Sequence, residues 1–198
     1  MAIDPSRFHL YNVADTCSVW NVLSSSTLYR RSKTAGVCYI CTGFVVYECL
    51  LKPRRSGNDS DRILRERLSN ARRNGQDFQT YPLDIEDLQT VEILQRRKNL
   101  GKGELASIAF AMKTRQAFMT DDQKARKLGC QVLQDSPTQT TPHMLSWLIY
   151  NNHLSDGEMP TVLSEHNEVD RPLAKHFEDA YQEACRCRLM AHHGVSKE

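Results

Sequence analysis

The sequence predicts an α/β fold: a three-layer α/β/α sandwich built on a central parallel sheet. Two observations carry that expectation. Short β-rich runs alternate with longer runs of helical apolar periodicity. The chain of 198 residues, 40% hydrophobic and 25% charged, has the size and composition of one globular core rather than of a disordered polymer.

The elements follow in order. His9 to Ala14 reads as a strand, with Leu10 and Val13 apolar and Tyr11 favouring the pleated state. Thr16 to Tyr29 has helical spacing through Val19, Trp20, Val22, Leu23 and Leu28. Val37 to Ile40 is a second β-rich run, and Phe44 to Leu51 a buried helix. Pro53 to Gly57 is a breaker-rich turn, after which Asn58 to Arg73 returns to helix, capped by Asp59 or Ser60 and ended by Gly75. Phe78 to Leu83 reads as a strand, and Asp84 caps a helix to about Lys98 with Ile85, Leu88, Ile93 and Leu94 inward. Gly101 and Gly103 break the chain before an apolar helix, Leu105 to Lys113. Ala117 to Thr120 is a strand, Gln123 to Leu128 a helix stopped by Gly129, and Cys130 to Leu133 a further strand. The remainder is helical, first over Pro142 to Asn151 and then over about Arg171 to Met190, with Gly194 to Glu198 frayed. Residues 1–135 are expected to form the main domain, including a basic helical segment at about 53–79. Residues 136–198 form a helical extension packed on it.

Composition excludes some classes of protein. No apolar run approaches the ~18 residues of a membrane span. Residues Met1 to Arg7 lack the basic-then-apolar pattern of an export signal, so a cytoplasmic protein is expected. Seven scattered cysteines read as reduced thiols, with Cys17, Cys49 and Cys130 in the core. Cys38 and Cys41 form a C-x-x-C, but it sits in a strand-like run and has no second pair at zinc spacing. Cys185, Cys187, His192 and His193 do not supply one, so neither a redox nor a zinc reading is adopted. His143, His153, His166 and His176 show no ligand spacing and read as surface or capping residues, and both tryptophans as core. The net charge of +2 is unevenly placed, with basic clusters from Arg62 to Arg73 and from Lys124 to Lys127.

The carboxylates carry the chemical signal. Asp15 and Asp121 each follow a strand directly, and in a parallel sheet the strand carboxyl ends share the edge where ligands bind. Glu104 opens a helix after Gly101-Lys102-Gly103. Glu48 interrupts an apolar run, where a lone carboxylate is costly without a partner. Singly, Asp15, Asp121 and Glu104 read as helix caps or first-turn acids. Glu48 has no capping role, and four converging acids need a hard cation such as Mg²⁺ or Mn²⁺.

Four segments resemble the acidic motifs of PIN-domain nucleases, in the family's order: VADTCSVWNVL (Val13 to Leu23), FVVYECL (Phe44 to Leu50), GKGELASIAFA (Gly101 to Ala111) and FMTDDQKARKLG (Phe118 to Gly129). LSWLIYNNHLSDGEMP (Leu145 to Pro160) is similar to the C-terminal helical extension of one PIN-like subgroup. Two departures stand out: the third acid is Glu104 where the wider family more often has Asp, and 53–79 is longer than the family minimum. The resemblance implies a PIN-like, metal-dependent nuclease with Asp15, Glu48, Glu104 and Asp121 as catalytic and metal-binding acids, Thr16, Thr120 and Asp122 in support, and Mg²⁺ or Mn²⁺ as cofactor. Phosphodiester hydrolysis, usually of RNA, is the implied reaction, and many relatives are toxins held by an antitoxin. Expected partners are therefore RNA first and DNA second, an antitoxin protein and a second copy of the chain, but no membrane. Lys124, Arg126 and Lys127, beside the acids, and Arg65 and Arg72 are the expected nucleic-acid contacts. The competing class is a non-catalytic PIN-like scaffold that binds nucleic acid or a protein.

Overall fold

A computed structural model of the chain describes residues 4–53, 58–74, 77–97 and 99–194. Five strands form one sheet: β1 (Tyr11–Ala14), β2 (Cys38–Thr42), β3 (Gln79–Tyr81), β4 (Ala117–Met119) and β5 (Thr138–Gln139). Their order is β3-β2-β1-β4-β5 and every neighbouring pair is parallel. The crossovers are helical: α1 (Thr16–Ser24), α2 (Ser26–Thr34), α3 (Gly43–Val46), α4 (Asp59–Asn74), α5 (Ile85–Arg97), α6 (Lys102–Thr114) and α7 (Gln123–Val132). After β5 come α8 (Thr141–Tyr150), α9 (Met159–Glu168) and α10 (Ala174–Gly194). No helix among the described residues is long and apolar enough to cross a membrane.

Strand alternation sends Val13 and Phe118 to one face of the sheet and Ala14 and Met119 to the other, because successive side chains point opposite ways. The Val13 face packs on α5, α6 and α7 through Leu94, Leu105, Ile108 and Leu128. The Ala14 face packs on α1, α2, α4 and α8 to α10 through Leu23, Leu68, Leu145 and Phe177. The result is the three-layer α/β/α sandwich expected from the strand–helix alternation.

Several local expectations are corrected. The helix from Thr16 breaks at Ser25, whose extended backbone (φ −116°, ψ 118°) ends α1 while its hydroxyl caps α2 by accepting from Leu28 N at 3.0 Å. In Ser24-Ser25-Ser26 the side chain competes with the ladder. The cap of α4 is Asn58, which accepts from Asp61 N at 2.8 Å, rather than Asp59 or Ser60. On α5 the inner stripe is Asp87, Val91 and Leu94, while Ile85 and Ile93 face outward at 74% and 56% exposure. Asp87 is held by an ion pair with Lys113.

Gly129 does not stop α7. The helix runs through it to Val132, so no strand forms at Cys130 to Leu133 and Cys130 is exposed rather than core. A Cβ at Gly129 would lie 2.8 Å from Thr138 Oγ1 and 2.9 Å from Phe118 Cδ1. The glycine lets the helix lie against the sheet, a role its sequence context does not distinguish from a stop. The last strand is instead β5, which joins the sheet beyond residue 135. Gly75, expected to end α4, lies outside the described residues, as do Arg54, Arg55, Lys98, the 195–198 tail and the side chains of His192 and His193.

His166 is also corrected. It is buried, not superficial: Leu173 N–H donates to Nε2 at 3.0 Å, and Nδ1 lies 2.5 Å from Ser24 Oγ. The neutral ring therefore carries its proton on Nδ1, and burial lowers its pKa to about 4.

Candidate active site at the carboxyl edge of the sheet

The strand order reverses between β1 and β4, which makes their carboxyl ends the switch point where open parallel sheets form a crevice. Asp15 leaves β1 there, and Thr120-Asp121 leaves β4. Asp15 N donates to Met119 O at 3.1 Å, so the two strand ends are tied together.

Asp15 has no exposed surface. One carboxylate oxygen accepts from Ser18 N at 2.9 Å and Ser18 Oγ at 2.8 Å, and the other from the Thr120 hydroxyl. The Cys17 thiol approaches both, at 3.1 and 3.3 Å. Burial raises the Asp15 pKa to about 6 against the pull of these donors. Asp15 is thus the cap of α1, as its position after a strand allowed, and also a fully buried acid.

Cys17 was expected in the core but sits between the two aspartates. Its sulfur also accepts from Asp121 N at 3.2 Å. Burial, Asp15 and Asp121 all push its pKa up, so it stays a thiol and can donate. Asp121 is held from the far side: Asn21 Nδ2 donates to it at 2.8 Å, Thr141 N at 2.8 Å and Thr141 Oγ1 at 2.6 Å. Burial raises its pKa, opposed by those donors and by the Arg171 charge. Arg171 Nε donates to Asn21 Oδ1 at 2.9 Å, which fixes the amide with its NH₂ toward Asp121. Asn21, Thr141 and Arg171 were not anticipated. A polar Asn inside the apolar run Val19 to Leu23 was the one signal available for them; Arg171, 150 residues away in sequence, gave none.

The glutamates come from helices. Glu48 lies in a π-helical turn, Tyr47–Leu51, that continues α3. It accepts from Thr16 Oγ1 at 2.5 Å and from Gly103 N at 3.2 Å. A Cβ on Gly103 would stand 2.5 Å from Glu48 Oε2, so this glycine makes room for the carboxylate. Glu104 accepts from Gly101 N at 2.8 Å, closing the N-terminus of α6. Its pKa is raised by burial first, then by the charges of Asp15, Asp122 and Glu48. Asp15, Asp122 and Glu48 thus lie near enough for their charges to act on Glu104, whereas Asp121 is not among them and lines a separate groove with Arg126 and Thr140. Thr16, Cys17, Glu48, Glu104 and Arg171 line a cleft of about 600 Å³.

Thr16 donates its hydroxyl to Glu48 and Thr120 its hydroxyl to Asp15. Asp122 is the cap of α7, accepting from Lys124 N and Ala125 N at 2.7 and 2.8 Å. Lys124, Arg126 and Lys127 are exposed on α7 beside it. Arg65 and Arg72 are spent on the protein itself: Arg65 donates to Leu50 O and Lys52 O, and Arg72 to Phe78 O and Thr80 Oγ1. Cys38 and Cys41 are free thiols on β2, three residues apart and so on opposite faces.

The all-oxygen donor set, with Glu104 destabilised by three neighbouring acids, suits a hard divalent cation in its chemistry. Among the described residues, however, no three His, Cys, Asp or Glu side chains are already gathered around one point where an ion would sit. Comparison with family models, with curated proteins and with solved structures finds no match to this chain.

Proposed function

We propose that this chain is a PIN-like, divalent-metal-dependent nuclease that hydrolyses phosphodiester bonds, with RNA as its substrate. The observation that carries the reading is the cleft at the β1/β4 switch point. Glu48 and Glu104 line it, and the charges of Glu48, Asp122 and the fully buried Asp15 act on Glu104. Asp15, Glu48, Glu104 and Asp121 are the groups that would hold Mg²⁺ or Mn²⁺. The bound ion would polarise the phosphate, lower the pKa of an attacking water and stabilise the leaving oxygen.

The protein's own residues do the positioning. Ser18 and Thr120 fix the Asp15 carboxylate, and the Arg171–Asn21–Thr141 set fixes Asp121. Thr16 and Gly103 N hold Glu48 at the mouth of the cleft. Glu104, with its raised pKa, suits proton handling or water orientation at that mouth.

A non-catalytic scaffold is the second reading, favoured by the hydrogen bonds that already satisfy Asp15 and Asp121. One assay separates the two. Single-stranded RNA incubated with purified protein and Mn²⁺ or Mg²⁺ is expected to be cut, and EDTA to abolish cutting. Binding without cleavage in either metal would establish the scaffold, and cleavage undiminished by EDTA would remove the metal mechanism.

A further inference from the structure

Beside the acid cleft lies a second hollow of about 700 Å³. Glu48, Lys52 and Gly101 line both. The two hollows are therefore neighbours that share this stretch of wall. Their chemistry differs. The second hollow is walled by Phe44, Tyr47 and Leu88, and Lys52 and Lys102 stand on its rim.

The π-helical turn sets up this division. Tyr47 and Glu48 are consecutive, and neighbouring residues on a helix diverge by roughly 100°. Glu48 reaches Thr16 and Gly103 on the acid side, while Tyr47 lines the apolar side. Tyr47 keeps 49% of its surface exposed and Leu88 46%, a large apolar outlay immediately next to charged groups. Neither is needed by the cores, which are filled by other residues.

We propose that this hollow binds an unpaired nucleobase of the substrate, stacked on the Tyr47 ring, with Lys52 and Lys102 meeting the flanking phosphates. The proposal rests on the nuclease reading above and adds to it a base-binding subsite on the Tyr47 side of Glu48. Charge and continuity choose the occupant. Glu48 lines the hollow as well as the acid cleft, and Lys52 and Lys102 supply positive charge beside it. An aromatic face flanked by cations is the arrangement that takes a splayed-out base and its backbone without demanding a sequence. A base still paired in a duplex cannot present its face to Tyr47.

The test uses two fluorescein-labelled probes of equal length and charge, decauridylate and an abasic ribose-phosphate decamer. Binding is followed by anisotropy in an Asp15→Asn background. Tyr47→Ala is expected to weaken decauridylate binding about tenfold, the effect of losing one base–aromatic stack. Tyr47→Phe keeps the ring and is expected to stay within about twofold. Neither change should alter binding of the abasic decamer. An equal loss on both probes, no loss on either, or a dimer that Tyr47→Ala dissolves in sedimentation would overturn the base site; the last would make this face a contact between copies of the chain. The nuclease reading is scored separately, on Tyr47→Ala with Asp15 intact. Metal-dependent cleavage with unchanged decauridylate affinity would sink the base site alone. Base-dependent binding by a chain that never cleaves would sink the nuclease alone.

Discussion

The two aspartates and the two glutamates are built into the fold differently: Glu48 and Glu104 line the cleft, Asp15 is buried, and Asp121 lines a separate groove. Asp15 and Asp121 follow strands, the first buried and the second half-buried, each meeting at least three hydrogen-bond donors. Glu48 and Glu104 stand on helical turns, with two donors and one donor respectively among the described residues. A strand end is fixed by the sheet ladder on both sides, and here Asp15 N even continues it to Met119 O. The glutamates have longer side chains and fewer ties. The aspartates are therefore pre-positioned and the glutamates adjustable. Such a division suits a site that keeps a rigid floor and closes its rim when charge arrives.

The largest effect tests that division directly. Asp15→Asn and Asp121→Asn are each expected to lower RNA cleavage by about 10³-fold, a loss of several kcal/mol of transition-state stabilisation. Glu48→Gln and Glu104→Gln should cost less, on the order of 10- to 100-fold, because a flexible rim group is more readily replaced by water. Initial rates at saturating Mn²⁺ decide it. Equal losses for all four would mean that the hydrogen-bond asymmetry has no functional counterpart, and a larger loss at the glutamates would invert the comparison.

This asymmetry also explains what could be read from sequence. Asp15 and Asp121 were legible because strand-then-acid is a local pattern, and the parallel sheet converts it into shared location. Glu48 and Glu104 were legible because an acid in an apolar run, or one after Gly-x-Gly, is locally anomalous. Hydrogen-bond partners far off in the chain were not. Arg171 acts on Asp121 through Asn21 across 150 positions, and Cys17 is an unremarkable cysteine until the fold sets it between two aspartates. Elements failed where one residue type serves two purposes. Gly129 looked like a helix stop but permits close packing, and Ser25 looked helical but caps the next helix. His166 gave no sign of burial because its partners, Ser24 and Leu173, come from separate elements.

A second, smaller effect sharpens the contrast through pH. The Asp15 pKa rises from 3.8 to about 6 on folding, so the folded chain holds its proton more tightly than the unfolded one. Stability then increases as pH falls from about 6 towards 4 and is lowest above 6. The full swing is roughly 3 kcal/mol. His166 works the other way: its pKa drops to about 4, so its contribution is complete above 6.5 and is lost as pH falls towards 4. The two partly cancel in the wild type, which is why a difference is measured. In EDTA, Asp15→Asn is expected to be more stable than wild type at pH 7.5, and the gap should close by pH 4. Urea melts at several pH values report it, and a gap that stays constant over this range would remove Asp15 as its source.

The smallest effect asks which basic residues extend the cleft towards substrate. Arg65 and Arg72 looked like nucleic-acid contacts by charge alone, yet their guanidinium groups donate to the carbonyls of Leu50, Lys52 and Phe78. They hold the segment after the π-helical turn and the entry to β3, so they serve the fold. Arg126 and Lys127 are exposed on α7, the helix that starts at Asp122. Arg126 also lines a groove of about 640 Å³ that reaches Asp121. Each phosphate neutralised on a single strand adds about 0.7 to the slope of log affinity against log salt, through counterion release. Replacing both Arg126 and Lys127 with Gln is therefore expected to flatten that slope by about 1. Replacing Arg65 and Arg72 with Gln should leave the slope unchanged while lowering stability by about 1 kcal/mol, because the part-buried bonds to the Leu50 and Phe78 carbonyls are lost. The measurement is single-stranded RNA affinity across a salt series in an Asp15→Asn background, with a urea melt of each variant. An unchanged slope for the Arg126/Lys127 variant would mean that α7 merely faces solvent. A flattened slope for the Arg65/Arg72 variant with intact stability would return those arginines to the RNA path and shift it towards α4, on the side of the cleft where Lys52 and the Tyr47 hollow lie.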